Sequence, residues 1–123
     1  IEAIKSYKPD LICLAGFMRL LSADFVNHWP GRILNIHPSL LPKYKGLDTY
    51  NRAINAGDKE SGCTVHYVVP EMDSGPVIVQ KKVPILAGDT ADILSERILA
   101  QEHIAYPEAI KNALQSLQKE DQT

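Results

Sequence analysis

The sequence predicts one α/β domain with a mainly parallel central sheet, helices on both faces and an antiparallel strand at its carboxyl-terminal side. Two short runs, 11–15 and 32–37, are largely apolar and suit strands buried inside a parallel sheet. Two later runs, 63–69 and 77–83, alternate between apolar and polar residues, as antiparallel strands do when one face is solvated. Helical periodicity before, between and after these runs completes the α/β pattern.

Three short helices are expected from the spacing of apolar residues and from the residues at the segment ends. Residues 1–7 have apolar side chains about one helical turn apart, and a Pro-containing step ends this segment. Residues 22–28 and 49–56 each begin at a residue that can cap a helix, Ser22 and Thr49 respectively. A helix leading directly into the strand at 11–15 is half of a βαβ unit, which supports a parallel sheet.

A longer helical part follows the Gly88-Asp89-Thr90 step. Its predicted core stripe consists of Ile93, Leu94, Ile98 and Leu99. Pro107 suits the first turn of a continuing or new helix. The buried side of that helix is expected to include Ile110, Leu114 and Leu117.

The composition is that of an ordinary soluble globular protein. The chain has 123 residues, with 45% hydrophobic and 23% charged residues and a net charge of −2. This balance gives no electrostatic argument for nucleic acid or for an acidic membrane. No apolar run approaches the roughly 20 residues of a membrane span, and the charged, amphipathic amino end does not resemble a signal peptide. We expect a cytoplasmic protein whose cysteines, Cys13 and Cys63, are reduced core residues.

The strand at 32–37 ends in two polar residues that suit chemistry at a carbonyl group. Side chains alternate along a strand, so Asn35 and His37 should share one face while Leu34 and Ile36 point to the core. An amide can donate a hydrogen bond to a developing oxyanion, and an imidazole can carry a proton near neutral pH. Taken alone, this pair could equally be a structural one that is satisfied by the backbone.

A wider pattern around this pair resembles the folate-dependent formyltransferase family. The pattern is Asn-Ile-His-Pro-Ser-Leu-Leu-Pro at 35–42, followed by Lys45-Gly46 and by Asp73-Ser74-Gly75. The resemblance extends from about residue 8 to residue 107 and implies a Rossmann-like formyltransferase fold. It also implies that residues 1–123 form a partial formyltransferase domain with the catalytic and folate-binding parts, because the Gly-rich phosphate-binding loop of the family has no counterpart here.

The resemblance implies formyl transfer from 10-formyltetrahydrofolate, as cosubstrate, to the amine of glycinamide ribonucleotide in purine synthesis. It assigns catalysis to Asn35, His37 and Asp73. Asn35 and a protonated His37 would stabilise the oxyanion, and Asp73 would take the proton of the attacking amine and support its passage to the leaving nitrogen. A carboxylate held against His37 would favour the imidazolium. No metal and no covalent intermediate is expected, and a homodimer is possible.

The family pattern also predicts binding residues. The residues expected to bind folate are Arg19, Leu20, Leu21, Glu71, Met72 and Asp73. The residues expected to bind the ribonucleotide substrate are Gly16, Met18, Asn35 and Glu102, with Glu102 at the ribose. From the bare sequence, Glu102 would be a solvated helical residue and Asp73 a turn carboxylate. His66, on the same strand face as Thr64, is either a core histidine or a neighbour of the folate site.

Other functions are less compatible with the residue pattern. The four histidines are scattered without metal-ligand spacing, and Ser39 lacks the Gly-x-Ser-x-Gly elbow of serine hydrolases. The chain has no basic extension for RNA, which disfavours methionyl-tRNA formyltransferase. Formyltetrahydrofolate deformylase, which passes the formyl group to water, remains the main alternative. The second alternative is a fragment that binds folate without catalysis.

Overall fold

The computed structural model describes residues 12–15, 32–70 and 74–121, with side chains for 32–70 and 74–116. The predicted helices at 1–7 and 22–28 lie outside these ranges. The four strands are β1 Ile12–Ala15, β2 Ile33–His37, β3 Glu60–Tyr67 and β4 Val77–Pro84. The two helices are α1 Thr49–Asn55 and α2 Ala91–Asp121.

The strands form one sheet in the order β1-β2-β3-β4. β1 and β2 are parallel, whereas β2 pairs with β3, and β3 with β4, in antiparallel orientation. The α/β class and the antiparallel carboxyl-terminal side are therefore confirmed. The part of the sheet that is described is mixed, however, and not mainly parallel. Strands β3 and β4 are antiparallel because the connection between them, 68–76, is short. It suits a hairpin and is too short for a parallel crossover.

One face of the sheet forms the hydrophobic core. Leu34 and Ile36 on β2 pack there with Cys63 and Val65 on β3, and the face is covered by α2. Helices α1 and α2 also contact each other. The sequence analysis predicted helices on both faces of the sheet. Within the described ranges, both helices contribute to the core on one face.

Helix α2 differs from the stripe predicted for it. Leu94 and Ile98 are fully buried, but Ile93 and Leu99 are 46% and 49% exposed. The buried seam continues through three alanines, Ala105, Ala109 and Ala113. Alanine lets a helix approach a sheet closely, yet it contributes little to a hydrophobic pattern, so the sequence did not reveal this seam. Pro107 lies inside one continuous helix.

Helix α1 begins as predicted at Thr49, but Thr49 does not cap it. The N-cap residue is Asp48, which adopts a left-handed conformation and makes no side-chain capping bond. The Thr49 hydroxyl instead donates a hydrogen bond of 2.7 Å to the carbonyl oxygen of Pro38. The start of α1 is therefore attached to the segment that follows β2. No helix in the described ranges is both long and apolar enough to span a membrane.

A carboxylate fixes the turn between β4 and α2. Asp89 accepts hydrogen bonds from the Leu86 N–H at 2.7 Å and from the Arg97 guanidinium at 2.6 and 3.2 Å. Arg97 also donates to the Pro84 carbonyl oxygen at 2.8 Å. The Arg97 hydrogen bonds, followed by the Leu86 N–H, lower the pKa of Asp89 below its usual value.

The lowered pKa makes the stability of the fold depend on pH. A carboxyl whose pKa is depressed on folding stabilises the protein above its unfolded-state pKa of about 4, and this stability is lost as the pH falls through the folded-state value. We expect Asp89→Asn to lower the free energy of unfolding at pH 7 and to change it much less near pH 2. Urea denaturation at both pH values measures this difference. The exposed Glu96→Gln on α2 is the control, and equal losses at both pH values would contradict the assignment.

Candidate active site

The sheet face opposite the core is polar where β2 ends. Asn35 and His37 point to this face and are only 7% and 4% exposed, as the alternation of β2 predicted. In the register with β3, Asn35 lies opposite His66 and His37 opposite Thr64. Four polar side chains that are nearly or fully buried are thus brought together on two adjacent strands. Burying polar groups is unfavourable unless they are satisfied by hydrogen bonds. A buried polar cluster on this face therefore indicates a role beyond packing.

Asn35 has an unsatisfied acceptor within the described residues. Its Oδ1 atom is buried and has no hydrogen-bond partner there. An unpaired buried polar atom costs about 1–3 kcal/mol, so such atoms are rare unless a ligand supplies the missing partner. The Asn35 carboxamide is therefore suited to bind a group that brings its own hydrogen-bond donors and acceptors.

The orientation of the His37 ring is fixed by the backbone. The distance from His37 Nε2 to the carbonyl oxygen of Tyr44 is 2.8 Å. A carbonyl oxygen can only accept, so Nε2 carries the proton in this bond.

The loop after His37 is held to β3 and β4 by a side-chain network. The fully buried Thr64 hydroxyl donates to the Ser39 carbonyl oxygen at 2.7 Å and accepts from the Leu41 N–H at 3.1 Å. Gln80 Nε2 donates both to Thr64 Oγ1, at 3.0 Å, and to the Leu41 carbonyl oxygen, at 3.1 Å. The sequence alone did not assign this role to Thr64 or Gln80. The only available signal was that both lie on the polar faces of their strands.

Thr64 is therefore expected to be important for stability. Thr64→Val keeps the shape of the side chain but leaves the Leu41 N–H and the Ser39 carbonyl without their partner. We expect the free energy of unfolding to fall by about 2–3 kcal/mol, the usual cost of unsatisfied buried polar groups. Urea denaturation measures the loss. Thr64→Ser keeps the hydroxyl and serves as the matched control, and a Val variant as stable as the Ser variant would refute the network.

The segment that follows Asp73 contacts both the loop after β2 and the last residue of β3. Lys45 Nζ donates to Ser74 Oγ at 3.0 Å. Gly75 is so close to β3 that an added Cβ would lie 1.7 Å from the Tyr67 carbonyl oxygen, and Tyr67 N–H donates to the Pro76 carbonyl oxygen at 2.9 Å. The contact between Lys45 and Ser74 thus links this segment to the loop that contains Tyr44.

Glu102 lies on the other side of the sheet from Asn35 and His37. It is half-buried on α2, and burial raises its pKa. Burial first, and then the nearby Glu102 charge, raises the pKa of the Cys63 thiol to about 11 and also raises the pKa of Tyr50. Cys63 precedes Thr64, so Glu102 lies near the end of the sheet where β2 terminates. The structure does not join it to the Asn35–His37 cluster.

Eight of the predicted site residues lie outside the described ranges. They are Gly16, Met18, Arg19, Leu20, Leu21, Glu71, Met72 and Asp73. Their roles therefore remain predictions from the family pattern. Within the described ranges, no group of three or more histidine, cysteine or acidic residues is arranged to hold a metal ion.

Comparison with known proteins agrees with this class of site. Residues 1–110 match the formyl transferase family model. The chain therefore belongs to the formyl transferase family.

Two close relatives share one enzyme name. Phosphoribosylglycinamide formyltransferase from Escherichia coli K12 is 56% identical over 107 residues, which are 87% of this chain and 50% of that protein. The crystal structure of phosphoribosylglycinamide formyltransferase from Anaplasma phagocytophilum superposes with a TM-score of 0.86 at 51% identity, covering 89% of this chain and 54% of that one. The chain thus spans about half the length of these relatives.

A formyltetrahydrofolate deformylase shares the fold at lower identity. The crystal structure from Pseudomonas syringae pv. tomato has a TM-score of 0.84 and 28% identity, covering 89% of this chain and 37% of that one. The fold alone therefore does not distinguish phosphoribosylglycinamide formyltransferases from formyltetrahydrofolate deformylases.

Proposed function

We propose that this protein transfers the formyl group of 10-formyltetrahydrofolate to the amine of glycinamide ribonucleotide, a step of purine synthesis. The observation that carries the proposal is the pair of buried polar side chains, Asn35 and His37, side by side on one face of β2. The names of the relatives with more than 50% identity supply the formyl acceptor, and the family pattern supplies the folate donor.

Asn35 and His37 act on the formyl oxygen. When the amine attacks the formyl carbon, a carbon–nitrogen bond forms and the carbonyl electron pair moves to the oxygen. The Asn35 amide and a protonated His37 donate hydrogen bonds to this oxyanion. Donors that are fixed before the reaction and shielded from water lower the barrier most, because they need not reorganise as charge develops. The bond from His37 to the Tyr44 carbonyl and the burial of both side chains meet these conditions.

Asp73 handles the proton in this scheme. The attacking nitrogen becomes cationic, and the Asp73 carboxylate accepts its excess proton directly or through a water molecule. That proton then passes to the leaving N10 nitrogen as the bond from N10 to the formyl carbon breaks, which yields the formylated amine and tetrahydrofolate. The hydrogen bond from Lys45 to Ser74 ties the residue after Asp73 to the loop whose Tyr44 carbonyl accepts from His37, which supports a position for Asp73 near His37.

The binding residues follow from the family pattern. The residues proposed to bind the folate are Arg19, Leu20, Leu21, Glu71, Met72 and Asp73. Those proposed to bind the ribonucleotide are Gly16, Met18, Asn35 and Glu102. Glu102 is half-buried near the end of β2, and this position supports contact with the sugar of the ribonucleotide.

A product assay separates the proposed transfer from its alternatives. The full chain that the gene encodes is incubated with 10-formyltetrahydrofolate, with and without glycinamide ribonucleotide. Formylated ribonucleotide that appears only with both substrates supports the proposal. Free formate released at the same rate without the ribonucleotide would identify a deformylase. Saturable folate binding without either product would leave a non-catalytic folate-binding protein.

A further inference from the structure

Tyr44 has a strained backbone at the residue that orients His37. Its φ angle is 55°, in the left-handed region that residues with a Cβ rarely adopt. Such a conformation is unfavourable for a residue other than glycine, because its Cβ comes too close to the following carbonyl oxygen. Strain of this kind persists only where the surroundings hold the residue in place, and it is often found at functional sites. The strained residue supplies the carbonyl oxygen that accepts the His37 Nε2 proton.

Two side chains hold Tyr44 in this conformation. The Tyr44 hydroxyl donates a short hydrogen bond to Asp58 Oδ2. The guanidinium of Arg52 lies over the Tyr44 ring, 5.2 Å from its centroid, as in a cation–π contact. Arg52 also donates to the carbonyl oxygens of Lys45 and Leu47, at 2.7 and 3.0 Å. The ring and the backbone that follows it are therefore fixed together.

Both of these side chains are placed by helix α1. Arg52 lies within the helix, and Asp58 follows it, with the Asp58 N–H donating to the Ala53 carbonyl oxygen at 3.2 Å. Thr49 at the start of the helix holds the Pro38 carbonyl oxygen. Helix α1 thus contacts both ends of the loop from Pro38 to Leu47, and this loop contains Tyr44.

We propose that Tyr44 is a positioning residue for His37, held by Asp58 and Arg52 so that its carbonyl oxygen keeps the proton on Nε2 and fixes the ring that acts on the formyl oxygen. The catalytic part of this inference rests on the proposed function. The positioning part does not, because it concerns the tautomer of His37 in the protein itself. Loss of the Tyr44 hydroxyl frees the ring from Asp58. The carbonyl is then held less firmly, and the proton of neutral His37 is held less firmly on Nε2.

The tautomer can be read directly by NMR. The full chain is labelled with ¹⁵N-histidine, and the His37 signals are identified by their absence in a His37→Gln spectrum. At a pH where the ring is neutral, the nitrogen shifts should show a proton on Nε2 alone in the wild type. In Tyr44→Phe and in Asp58→Ala they should move toward a mixture of both tautomers. Asp58→Asn keeps an acceptor for the hydroxyl and should restore the wild-type pattern.

Kinetics supply the second measurement. In the formyl transfer assay, Tyr44→Phe and Asp58→Ala should lower kcat about tenfold with both KM values nearly unchanged, because binding is kept while the alignment of a catalytic donor is lost. Tyr67→Phe is the matched control, since it also removes a tyrosine hydroxyl but lies in register with the core residue Leu34. It should keep the wild-type tautomer and kcat.

The two measurements separate failure of this inference from failure of the proposed function. An unchanged tautomer in Tyr44→Phe and Asp58→Ala would overturn the positioning role even if the protein transfers formyl groups. A shifted tautomer in a protein that shows no transfer would support the positioning role and overturn the proposed function. A kcat loss equal in Asp58→Ala and Asp58→Asn would also count against the inference, because it could not come from the Tyr44 hydroxyl bond.

Discussion

Asn35→Ala should lower kcat by about 10²–10³-fold and should leave the fold almost as stable as the wild type. The loss of rate is that expected for removing one preorganised donor to an oxyanion. The small effect on stability follows from the unpartnered Oδ1 of Asn35 in the described ranges. Removing a buried polar atom that has no partner avoids its desolvation cost, which offsets the packing lost with the side chain. We expect the free energy of unfolding to change by less than about 1 kcal/mol.

Two assays on the same variant test this combination. Single-turnover kinetics report the chemical step, and urea denaturation reports the free energy of unfolding. Thr64→Val is the informative contrast, because it should lose stability through partners left unsatisfied around it. If Asn35→Ala kept wild-type turnover, Asn35 would not contact the reacting oxygen. If the variant unfolded as easily as Thr64→Val, Asn35 would be a structural residue.

Asp73→Asn should lower turnover by roughly 10²-fold or more while the protein stays folded. An amide of the same size cannot accept the proton of the attacking amine, and a positioned acid–base group typically contributes 10²–10⁴-fold. The KM values should change little, since the side chain keeps its shape. His37→Ala should reduce turnover in the same way. Steady-state kinetics measure the loss, and circular dichroism checks the fold.

Ser74→Ala is the matched control for Asp73. It changes the neighbouring residue and removes the side-chain oxygen that accepts from Lys45. If that contact only stabilises the loop, the effect on kcat should be several-fold and far smaller than that of Asp73→Asn. Wild-type turnover in Asp73→Asn would show that another group takes the proton and would remove Asp73 from the proposed mechanism.

The placement of Asn35 and His37 could be predicted because it depends on local geometry. The alternation of β2 determines that Asn35 and His37 share a face opposite Leu34 and Ile36, whatever the rest of the chain does. The two antiparallel strands were likewise visible from their periodicity and from the turn residues between them. The family pattern added Asp73, which no local rule connects with His37.

The remaining features depend on contacts between distant parts of the chain. Thr64 and Gln80 become important only because the sheet register brings them to the Ser39–Leu41 backbone. The left-handed Tyr44 depends on Asp58 and Arg52, and its own sequence position carries no glycine or asparagine to indicate it. The sequence analysis did not predict the alanine seam of α2, because alanines are favoured there by close packing and not by hydrophobicity.

The most direct measurement is the infrared stretching frequency of the formyl carbonyl in a bound folate analogue that cannot transfer it. A ¹³C label in the formyl group isolates this band by difference from the unlabelled complex. The proposed hydrogen bonds polarise the carbonyl, so its frequency should be lower in the wild-type complex than in the Asn35→Ala complex, with both variants saturated. The same frequency in both complexes would mean that Asn35 does not touch the formyl oxygen, and the assignment of this polar face as the site of formyl transfer would be wrong.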